Sequence, residues 1–210
     1  MVFSQIKVVN YGDTKKVLKR YNSINSKKWL LSPLFQIVYP FATLSKSRLE
    51  RELEFLNSNN QIKKPKVYGF NLEKKELYRE YINGKSAYCD GSKIGELLYE
   101  IHREGYCLGD SKLDNFVFDG DNTYIIDAEQ AMKTRNKRYM YWDISLLILS
   151  AAYYNYSDIN GFKSFLEGFS NNYKYWKEYC KRSLKGLYSL LFLLMPVQHL
   201  RALKDTFYPK

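Results

Sequence analysis

Cysteine is scarce in this 210-residue chain, and its spacing shows no recurring pattern. Cys89, Cys107 and Cys180 are an odd number of cysteines that lie far apart. This usage argues against a disulfide framework or a zinc site, and it favours reduced thiols inside a cell. The first residues also lack the long apolar core of a signal peptide. We therefore expect a cytoplasmic protein.

The chain also lacks a clean apolar segment of the roughly 20 residues that a membrane-spanning helix needs. Two stretches approach that description. Residues 139–156 carry Asp143 near their start and polar residues near their end, and residues 186–200 are uncharged but too short. We expect both stretches to be buried core helices, and we expect no transmembrane segment.

Apolar and basic residues are plentiful by contrast. Hydrophobic residues make up 45% of the chain and aromatic residues 17%, which is ample for a packed core. The formal net charge of +11 is uneven, because residues 1–83 hold 16 basic and 7 acidic residues. A basic surface attracts nucleic acid, anionic lipid or an acidic partner protein, although a plain solvated surface has the same composition.

The apolar periodicity predicts strands first, then a helix, then more strands and a mostly helical second half. The first part is predicted to contain a hairpin in residues 1–20 that turns at 10–13, a helix over 45–58, and two strands around a turn at 71–75. The second part is predicted to contain a helix over 92–106 and a hairpin over 107–127, followed by further helices. No internal repeat or low-complexity linker interrupts this order.

This order predicts an α+β, two-lobed fold. We expect residues 1–83 to form a small β-rich N-terminal lobe with one helix, and residues 84–210 to form a mostly helical C-terminal lobe. Gly84 is the best candidate for the hinge between them. In the helix over 45–58, Ser45 or Ser47 is the expected N-cap.

Polar residues cluster at one edge of the hairpin over 107–127. Asp110, Lys112 and Asn115 lie within six positions, and Asp127 follows two isoleucines on the return strand. Asn115 and Asp127 offer oxygen ligands suited to Mg²⁺, Lys112 can neutralise a phosphoryl group, and Asp110 can accept a proton from a hydroxyl. A polar β-turn with solvated charges is the alternative, because Asp and Asn are common turn residues.

The order of these motifs resembles the protein-kinase-like superfamily over nearly the whole chain. "VLK", "RLEREL", "YREYING", "GDSKLDNF", "IIDAE" and "YWDISLL" follow one another as the superfamily's motifs do. The resemblance implies binding of ATP and Mg²⁺. It also implies roles for individual residues: Lys19 as phosphate ligand, Glu52 as its ion-pair partner, Glu80 and Ile82 at the nucleotide-binding hinge, Asp110 and Lys112 in catalysis, Asn115 and Asp127 as metal ligands, and Asp143 as a brace of the catalytic loop.

Within that superfamily the chain resembles the small atypical kinases, above all the kinase subunit of the KEOPS complex. The likeness lies in "RLERELEFLNSNNQIKKPKVYGFN" followed by "LYREYINGKS". This chain also lacks a glycine-rich loop, as the members of that family do. The resemblance implies an ATPase or kinase that supports threonylcarbamoyl modification of tRNA. The chain departs from the family at Leu108, at Ala128-Glu129 and at Arg79, the gatekeeper position.

Three functions are compatible with these residues. The first is a phosphotransferase, serine/threonine protein kinase or ATPase of the KEOPS-subunit type, with a protein or tRNA-associated partner on the basic N-terminal lobe. The second is a kinase for a small hydroxylated or sugar-containing substrate, as in lipopolysaccharide-core kinases. The third is a pseudokinase that serves as a binding module. The phosphoryl acceptor stays open.

Several other residues have expected places. We expect His102 and His199 to be surface or partly buried residues, Cys107 to pack in the core, and residues 119–122 to form the hairpin tip. Glu129 either contacts the metal ligands or faces solvent. The cations of the run 133–138 are either solvated or hold an acidic acceptor or a nucleic-acid backbone; they are Lys133, Arg135, Lys137 and Arg138.

Overall fold

The N-terminal part of the molecule is an antiparallel sheet with one helix beside it. The computed structural model describes residues 6–12, 14–21, 36–86, 90–183 and 186–207. Four strands form the sheet in the order β1-β2-β4-β3. They are β1 (Ile6–Tyr11), β2 (Thr14–Arg20), β3 (Val67–Asn71) and β4 (Glu76–Glu80).

Strand register decides which side chains of the sheet face inward. Lys19 lies opposite Leu77 and Val17 opposite Arg79, and all four side chains are buried. Because side chains alternate between the two faces of a strand, these four residues share the inner face. The sheet therefore directs one lysine and one arginine toward the interior.

Helix α1 (Ser45–Leu56) follows β2 in the chain, and it buries Leu49, Leu53 and Leu56 as the periodicity predicts. The expected serine cap is wrong. Leu44 occupies the N-cap position without a side-chain cap hydrogen bond, and the Ser45 hydroxyl donates to the carbonyl oxygen of Tyr21 instead. The helix start is thus tied to the end of β2.

The C-terminal part is mostly helical and contains two small sheets, one of three short strands and one of two. Its helices are α2 (Gly91–Arg103), α3 (Lys137–Tyr154), α4 (Ile159–Asn172), α5 (Trp176–Ser183) and α6 (Val197–Phe207). Its strands are β5 (Lys85–Ser86), β6 (Tyr106–Cys107), β7 (Phe116–Phe118), β8 (Thr123–Ile125) and β9 (Met132–Lys133). The predicted α+β arrangement of a sheet-bearing N-terminal part and a helical C-terminal part is confirmed.

Helix α2 packs closely against α4 because its first residues are small. A Cβ atom on Gly91 would collide with the carbonyl group of Phe165, and one on Gly95 would crowd Phe169. Helix α2 is capped by Asp90, whose side chain accepts a hydrogen bond from the Lys93 amide at 2.9 Å. This packing fixes the helix that leads into the loop at residues 108–115.

The two apolar stretches have different structures. Residues 139–156 lie largely in α3, whose inner positions are fully buried, as predicted. Residues 186–200 are not one buried helix: a 3-10 segment (Leu187–Leu194) precedes α6, and Leu193 is 79% exposed. Across the described ranges, no helix combines the length and apolarity that crossing a membrane requires.

The histidine expectation is wrong, because both rings are fully buried. His102 hydrogen bonds with Tyr173 and Asp143, and His199 lies 2.9 Å from the carbonyl oxygen of Asn155. Cys107 is buried, as predicted, and Cys89 lies outside the described residues. The hairpin tip at residues 119–122 is also confirmed, since the Asp119 carboxylate accepts the amides of residues 121 and 122.

Candidate active site

Strand β2 and helix α1 bring Lys19 and Glu52 together across 33 positions of sequence. The Lys19 Nζ atom lies 2.6 Å from Glu52 Oε2, and both side chains are completely buried. The Tyr21 hydroxyl donates a second hydrogen bond, 2.5 Å long, to the same carboxylate oxygen. Lys19 faces α1 because it occupies an inward position of the sheet, so the pair follows from strand register.

Asp127 reaches the same lysine from the C-terminal part. It follows β8, and its Oδ1 atom lies 2.8 Å from Lys19 Nζ. Because its side chain is 20% exposed, solvent reaches one side of the pair. The Glu129 amide donates to the same Oδ1 atom and holds the turn after β8 in place. One ammonium group therefore joins the sheet, the helix and this turn.

Glu129 is a member of this group, and the solvent-facing alternative for it is wrong. Its side chain is completely buried, 3.4 Å from Lys19 Nζ and 3.2 Å from Arg48 Nη1. Arg48 also donates from Nη2 to the carbonyl oxygen of Tyr21. Arg48 was not anticipated, although it lies four residues before Glu52 on α1 and hence on the same helix face. We call Lys19, Arg48, Glu52, Asp127 and Glu129 the cleft cluster.

Burial and charge oppose one another in the cleft cluster. Burial alone would lower the pKa of Lys19, but the carboxylates of Asp127 and Glu52 raise it above its ordinary value. Burial raises the pKa of Glu52, and the Lys19 ammonium opposes that rise. Asp127 adds to the rise and the Arg79 guanidinium opposes it. Lys19 therefore stays charged, and its ammonium group opposes protonation of the buried Glu52 carboxylate beside it.

The loop before β7 holds the other predicted catalytic residues. Asp110 is 7% exposed, and its Oδ1 atom lies 2.7 Å from Lys112 Nζ. The Asn115 side chain donates from Nδ2 to the carbonyl oxygen of Asp110 at 2.6 Å. The Ile126 amide donates to the Asn115 carbonyl oxygen, which joins this loop to the segment carrying Asp127. Asp110, Lys112 and Asn115 are thus neighbours on one rigid loop.

Asp143 on α3 holds that loop by hydrogen bonds to its backbone. Its carboxylate accepts the Leu108 amide at 2.6 Å and the Gly109 amide at 2.7 Å. The same carboxylate lies 3.1 Å from His102 Nε2, and His102 Nδ1 lies 2.6 Å from the Tyr173 hydroxyl. We call Asp143, His102 and Tyr173, with these two amides, the brace cluster. It matches the structural role that the resemblance implies for Asp143.

Gly109 adopts a conformation that suits only glycine here. Its φ angle of 71° is in the left-handed region, and a Cβ atom would collide with the ring of Tyr39. The Tyr39 hydroxyl lies 3.1 Å from the Cys107 carbonyl oxygen and 2.8 Å from that of Gln130. Tyr39 was not anticipated, because nothing in the local sequence separates it from the many other tyrosines. It joins the loop to the turn after Asp127.

The predicted hinge residues Glu80 and Ile82 lie at the end of β4 and in the segment that follows it, and both are partly buried. The Glu80 amide donates to the Lys66 carbonyl oxygen, and the Glu80 carboxylate accepts the Lys66 amide. Arg79, just before them, is 3% exposed and donates from Nη1 to the Glu80 carbonyl oxygen at 3.3 Å. The gatekeeper position therefore carries a buried guanidinium.

The basic side chains of the run 133–138 contact different parts of the molecule. Lys137 pairs with Glu178 at 2.6 Å, and Arg138 donates to the Ile37 carbonyl oxygen at 3.0 Å. Arg135 and Lys137 line a cavity of about 310 Å³ beside His102, Tyr173 and Tyr175, away from the cleft cluster. The run therefore lies largely outside the site built around Lys19.

The cleft offers the donor chemistry of a magnesium site. The carboxylates of Glu52, Asp127 and Glu129 each place an oxygen within 4.8 Å of the others. These three acids outnumber the two cations of the cleft cluster, and oxygen ligands are those that Mg²⁺ prefers. Asn115 adds a further amide oxygen from the neighbouring loop. The Lys19 ammonium lies among these carboxylates, 2.6 Å from Glu52, 2.8 Å from Asp127 and 3.4 Å from Glu129, so the partly exposed Asp127 is the acid with an oxygen that can face a divalent cation.

The fold and this arrangement of residues are similar to those of protein-kinase-like proteins. A lysine on an antiparallel sheet pairs with a glutamate on the following helix, and a braced Asp-x-Lys-x-x-Asn loop precedes the aspartate turn. This arrangement confirms the resemblance to the protein-kinase-like superfamily at the level of the fold.

Comparison with known proteins finds a distant relative. A probable bifunctional tRNA threonylcarbamoyladenosine biosynthesis protein of Methanocaldococcus jannaschii is 28% identical over 146 residues. The matched region is 64% of this chain and 27% of that protein, so the chain spans about a quarter of its relative. The chain is therefore a distant homologue of one part of that protein. No protein-family model matches the chain.

Two solved structures resemble the chain at low sequence identity and with TM-scores below 0.5. WaaP in complex with acyl carrier protein is 10% identical with a TM-score of 0.45, covering 97% of this chain and 84% of that one. The Rv3197–erythromycin complex from Mycobacterium tuberculosis is 16% identical with a TM-score of 0.40, covering 79% of this chain and 51% of that one.

Proposed function

We propose that this protein is a Mg²⁺-dependent phosphotransferase or ATPase that uses a nucleoside triphosphate such as ATP. The observation that carries the proposal is the position of Lys19, which bonds Glu52 and Asp127 at once. A buried lysine oriented by a glutamate is the device by which kinase-like proteins bind nucleotide phosphates. Asp127 beside it supplies the carboxylate for the metal.

Each predicted residue has a distinct part in this mechanism. Lys19 exchanges its contact with Asp127 for the nucleotide phosphates, while Glu52 keeps its ammonium group oriented. Asp110 accepts the proton of the attacking hydroxyl or water, and Lys112, 2.7 Å away, neutralises charge on the transferred group. The backbone of Glu80 and Ile82 borders the nucleobase.

Asn115 and Asp127 would hold Mg²⁺, which when bound offsets the phosphate charge and orients the phosphates for in-line transfer. The hydrogen bond from Asn115 Nδ2 to Asp110 leaves the Oδ1 oxygen of that amide as the ligand atom. The Glu129 backbone amide donates to Asp127 Oδ1, and its buried carboxylate pairs with Lys19 and Arg48, so we assign Glu129 the task of positioning Asp127.

Three observations bear on the class of phosphoryl acceptor: the short segment after Asp127, the name of the distant relative and the charge of residues 1–83. Only 15 residues lie between Asp127 and Asp143, too few for the long activation segment that docks peptide substrates. The distant relative is named for tRNA threonylcarbamoyladenosine biosynthesis, and residues 1–83 carry a net charge of +9. We therefore place a cytoplasmic tRNA-modification role, with a protein or tRNA partner on the basic N-terminal part, ahead of a small sugar-like acceptor.

A turnover assay with Asp127→Ala tests the proposal. We expect metal-dependent nucleotide hydrolysis or transfer to fall by about a hundredfold or more, because the metal loses its carboxylate ligand. Phosphate release or radiolabel transfer, measured with and without Mg²⁺ and with candidate acceptors, gives the rate.

Asp121→Ala is the matched control, since Asp121 is an exposed acid at the tip of the same hairpin. It should keep the rate of the unmodified protein. Equal rates in Asp127→Ala and the unmodified protein, with both variants folded by circular dichroism, would refute the metal assignment. Absence of any nucleotide binding or turnover would refute the proposed function itself.

A further inference from the structure

Arg79 occupies an unusual place for a charged residue. It is 3% exposed, and it faces the interior directly opposite Val17 on β2. Lys19 is two residues further along β2, so the two cationic side chains leave the same sheet face about 7 Å apart along the strands. If Lys19 binds the phosphates and residues 80–82 border the base, Arg79 lies on the base side of the site.

The guanidinium of Arg79 is incompletely satisfied. Its Nε atom is buried and has no hydrogen-bond partner among the described residues, and the Glu52 carboxylate is the acid on which its charge acts. Arg48, the other fully buried arginine, is by contrast ion-paired with Glu129. A buried N–H group without a partner is costly, and an incoming acceptor that pairs with it recovers that cost.

The contact that Arg79 does make disfavours adenine. Its Nη1 atom donates to the Glu80 carbonyl oxygen, so the guanidinium covers a backbone acceptor at the hinge segment. An adenine amino group there would need that acceptor, and it would bring its own N–H donors toward those of Arg79. Guanine and hypoxanthine instead carry a carbonyl oxygen and a ring nitrogen that both accept from a guanidinium fork.

We infer that Arg79 makes the nucleotide site selective for 6-oxopurine nucleotides, guanosine and inosine triphosphates, over adenosine triphosphate. This inference rests on the proposed function, because it names the nucleotide class of that site. It replaces the expected use of ATP by a preference for GTP and ITP, and Arg79 is the side chain that determines this preference.

Equilibrium binding of GTP, ITP and ATP with Mg²⁺, measured by calorimetry, tests the inference without requiring turnover. We expect GTP and ITP to bind about tenfold or more tightly than ATP, since a bidentate arginine contact discriminates between purines by that order. ITP separates recognition of the 6-oxo group from recognition of the 2-amino group, which ITP lacks.

Arg79→Met is the informative variant, because methionine fills similar space without donors. We expect it to lose the preference and bind ATP at least as tightly as GTP. Arg20→Gln is the matched control: it removes a cation from the outer face of the same sheet, where Arg20 pairs with Glu76, and it should keep the preference.

The outcomes separate this inference from the function on which it rests. Equal or tighter binding of ATP by the unmodified protein overturns the base selectivity and leaves the phosphotransferase proposal standing. A uniform loss of affinity for all three nucleotides in Arg79→Met would make Arg79 a phosphate ligand and would equally overturn the selectivity. Binding of none of the three overturns both proposals.

Discussion

Asp143 and Asp127 lie 16 residues apart in the chain, yet their carboxylates are held in opposite ways. Asp143 is fully buried, and both of its oxygens accept backbone amides of the loop at residues 108–115. Asp127 is partly exposed and bonds the side chain of Lys19, which is long and can move. The first arrangement is rigid and complete, and the second can be rearranged by a ligand.

The same contrast extends to the neighbours of each aspartate. In the brace cluster, His102 uses both ring nitrogens, one toward Asp143 and one toward Tyr173. In the cleft cluster, the Oε1 atom of Glu52 and the Nε atom of Arg48 are buried without a hydrogen-bond partner among the described residues. Satisfied networks stabilise a fold, whereas incompletely satisfied ones cost stability and are found at functional sites. The brace cluster maintains the loop, and the cleft cluster keeps the unused hydrogen-bonding capacity on which the proposed nucleotide site depends.

Removing the brace carboxylate should have the largest effect on stability. Asp143→Ala leaves two buried amides and His102 without their acceptor, so we expect the free energy of unfolding to fall by about 3 kcal/mol or more. Urea unfolding followed by circular dichroism gives this value. Asp205→Ala, at an exposed position of α6, should change stability by less than about 0.5 kcal/mol. A loss below about 1 kcal/mol in Asp143→Ala would mean that water replaces the carboxylate.

The comparison also separates what sequence could predict from what it could not. The pairing of Lys19 with Glu52 was predicted from the resemblance to the kinase-like superfamily, and the polar cluster of the hairpin was predicted from its residue types at the ends of two strands. Strand alternation then placed Lys19 inward without further information. The α+β fold followed from the same periodicities.

Burial of polar side chains was the part that sequence could not predict. Arg48 reads as a surface arginine on a charged helix, because its partner Glu129 is 81 positions away. His102 and His199 sit on helical patterns that look the same whether the ring is exposed or buried. Ser45 looked like a cap, but the nearby end of β2 offers its hydroxyl a carbonyl oxygen instead. Tertiary partners decided each of these cases.

A double-mutant cycle on Arg48 and Glu129 should show an intermediate effect on the cleft cluster. Arg48→Met or Glu129→Gln alone leaves a buried charge short of one partner, so each should lower the free energy of unfolding by about 2 kcal/mol. Because the two groups are in direct contact, we expect a coupling of about 1 kcal/mol when both changes are combined. Urea unfolding of the four proteins measures it. Additive losses within about 0.3 kcal/mol would show that the contact contributes nothing by itself.

Tyr21→Phe should have the smallest effect at neutral pH, because it removes one hydroxyl that donates to Glu52. We expect a loss of about 1 kcal/mol at pH 7. The pH dependence is more informative than this value. Burial raises the pKa of Tyr21 well above its ordinary 10.0, and the Glu52 carboxylate adds to that rise. The folded protein therefore keeps the phenol proton at a pH where the unfolded chain releases it.

The sign of the alkaline effect follows from that difference. Because the unfolded state binds fewer protons above pH 10, the unmodified protein loses stability there, by about 1.4 kcal/mol at pH 11 from this group alone. Tyr21→Phe lacks the group, so its deficit relative to the unmodified protein should shrink from about 1 kcal/mol at pH 7 and become a surplus of about 0.4 kcal/mol at pH 11. Urea unfolding at pH 7, 9 and 11 measures the deficit, and the exposed Tyr156→Phe variant should match the unmodified protein throughout. A deficit that stays constant with pH would show that Tyr21 ionises equally in both states, and the cleft cluster would then be far more open to water than the brace.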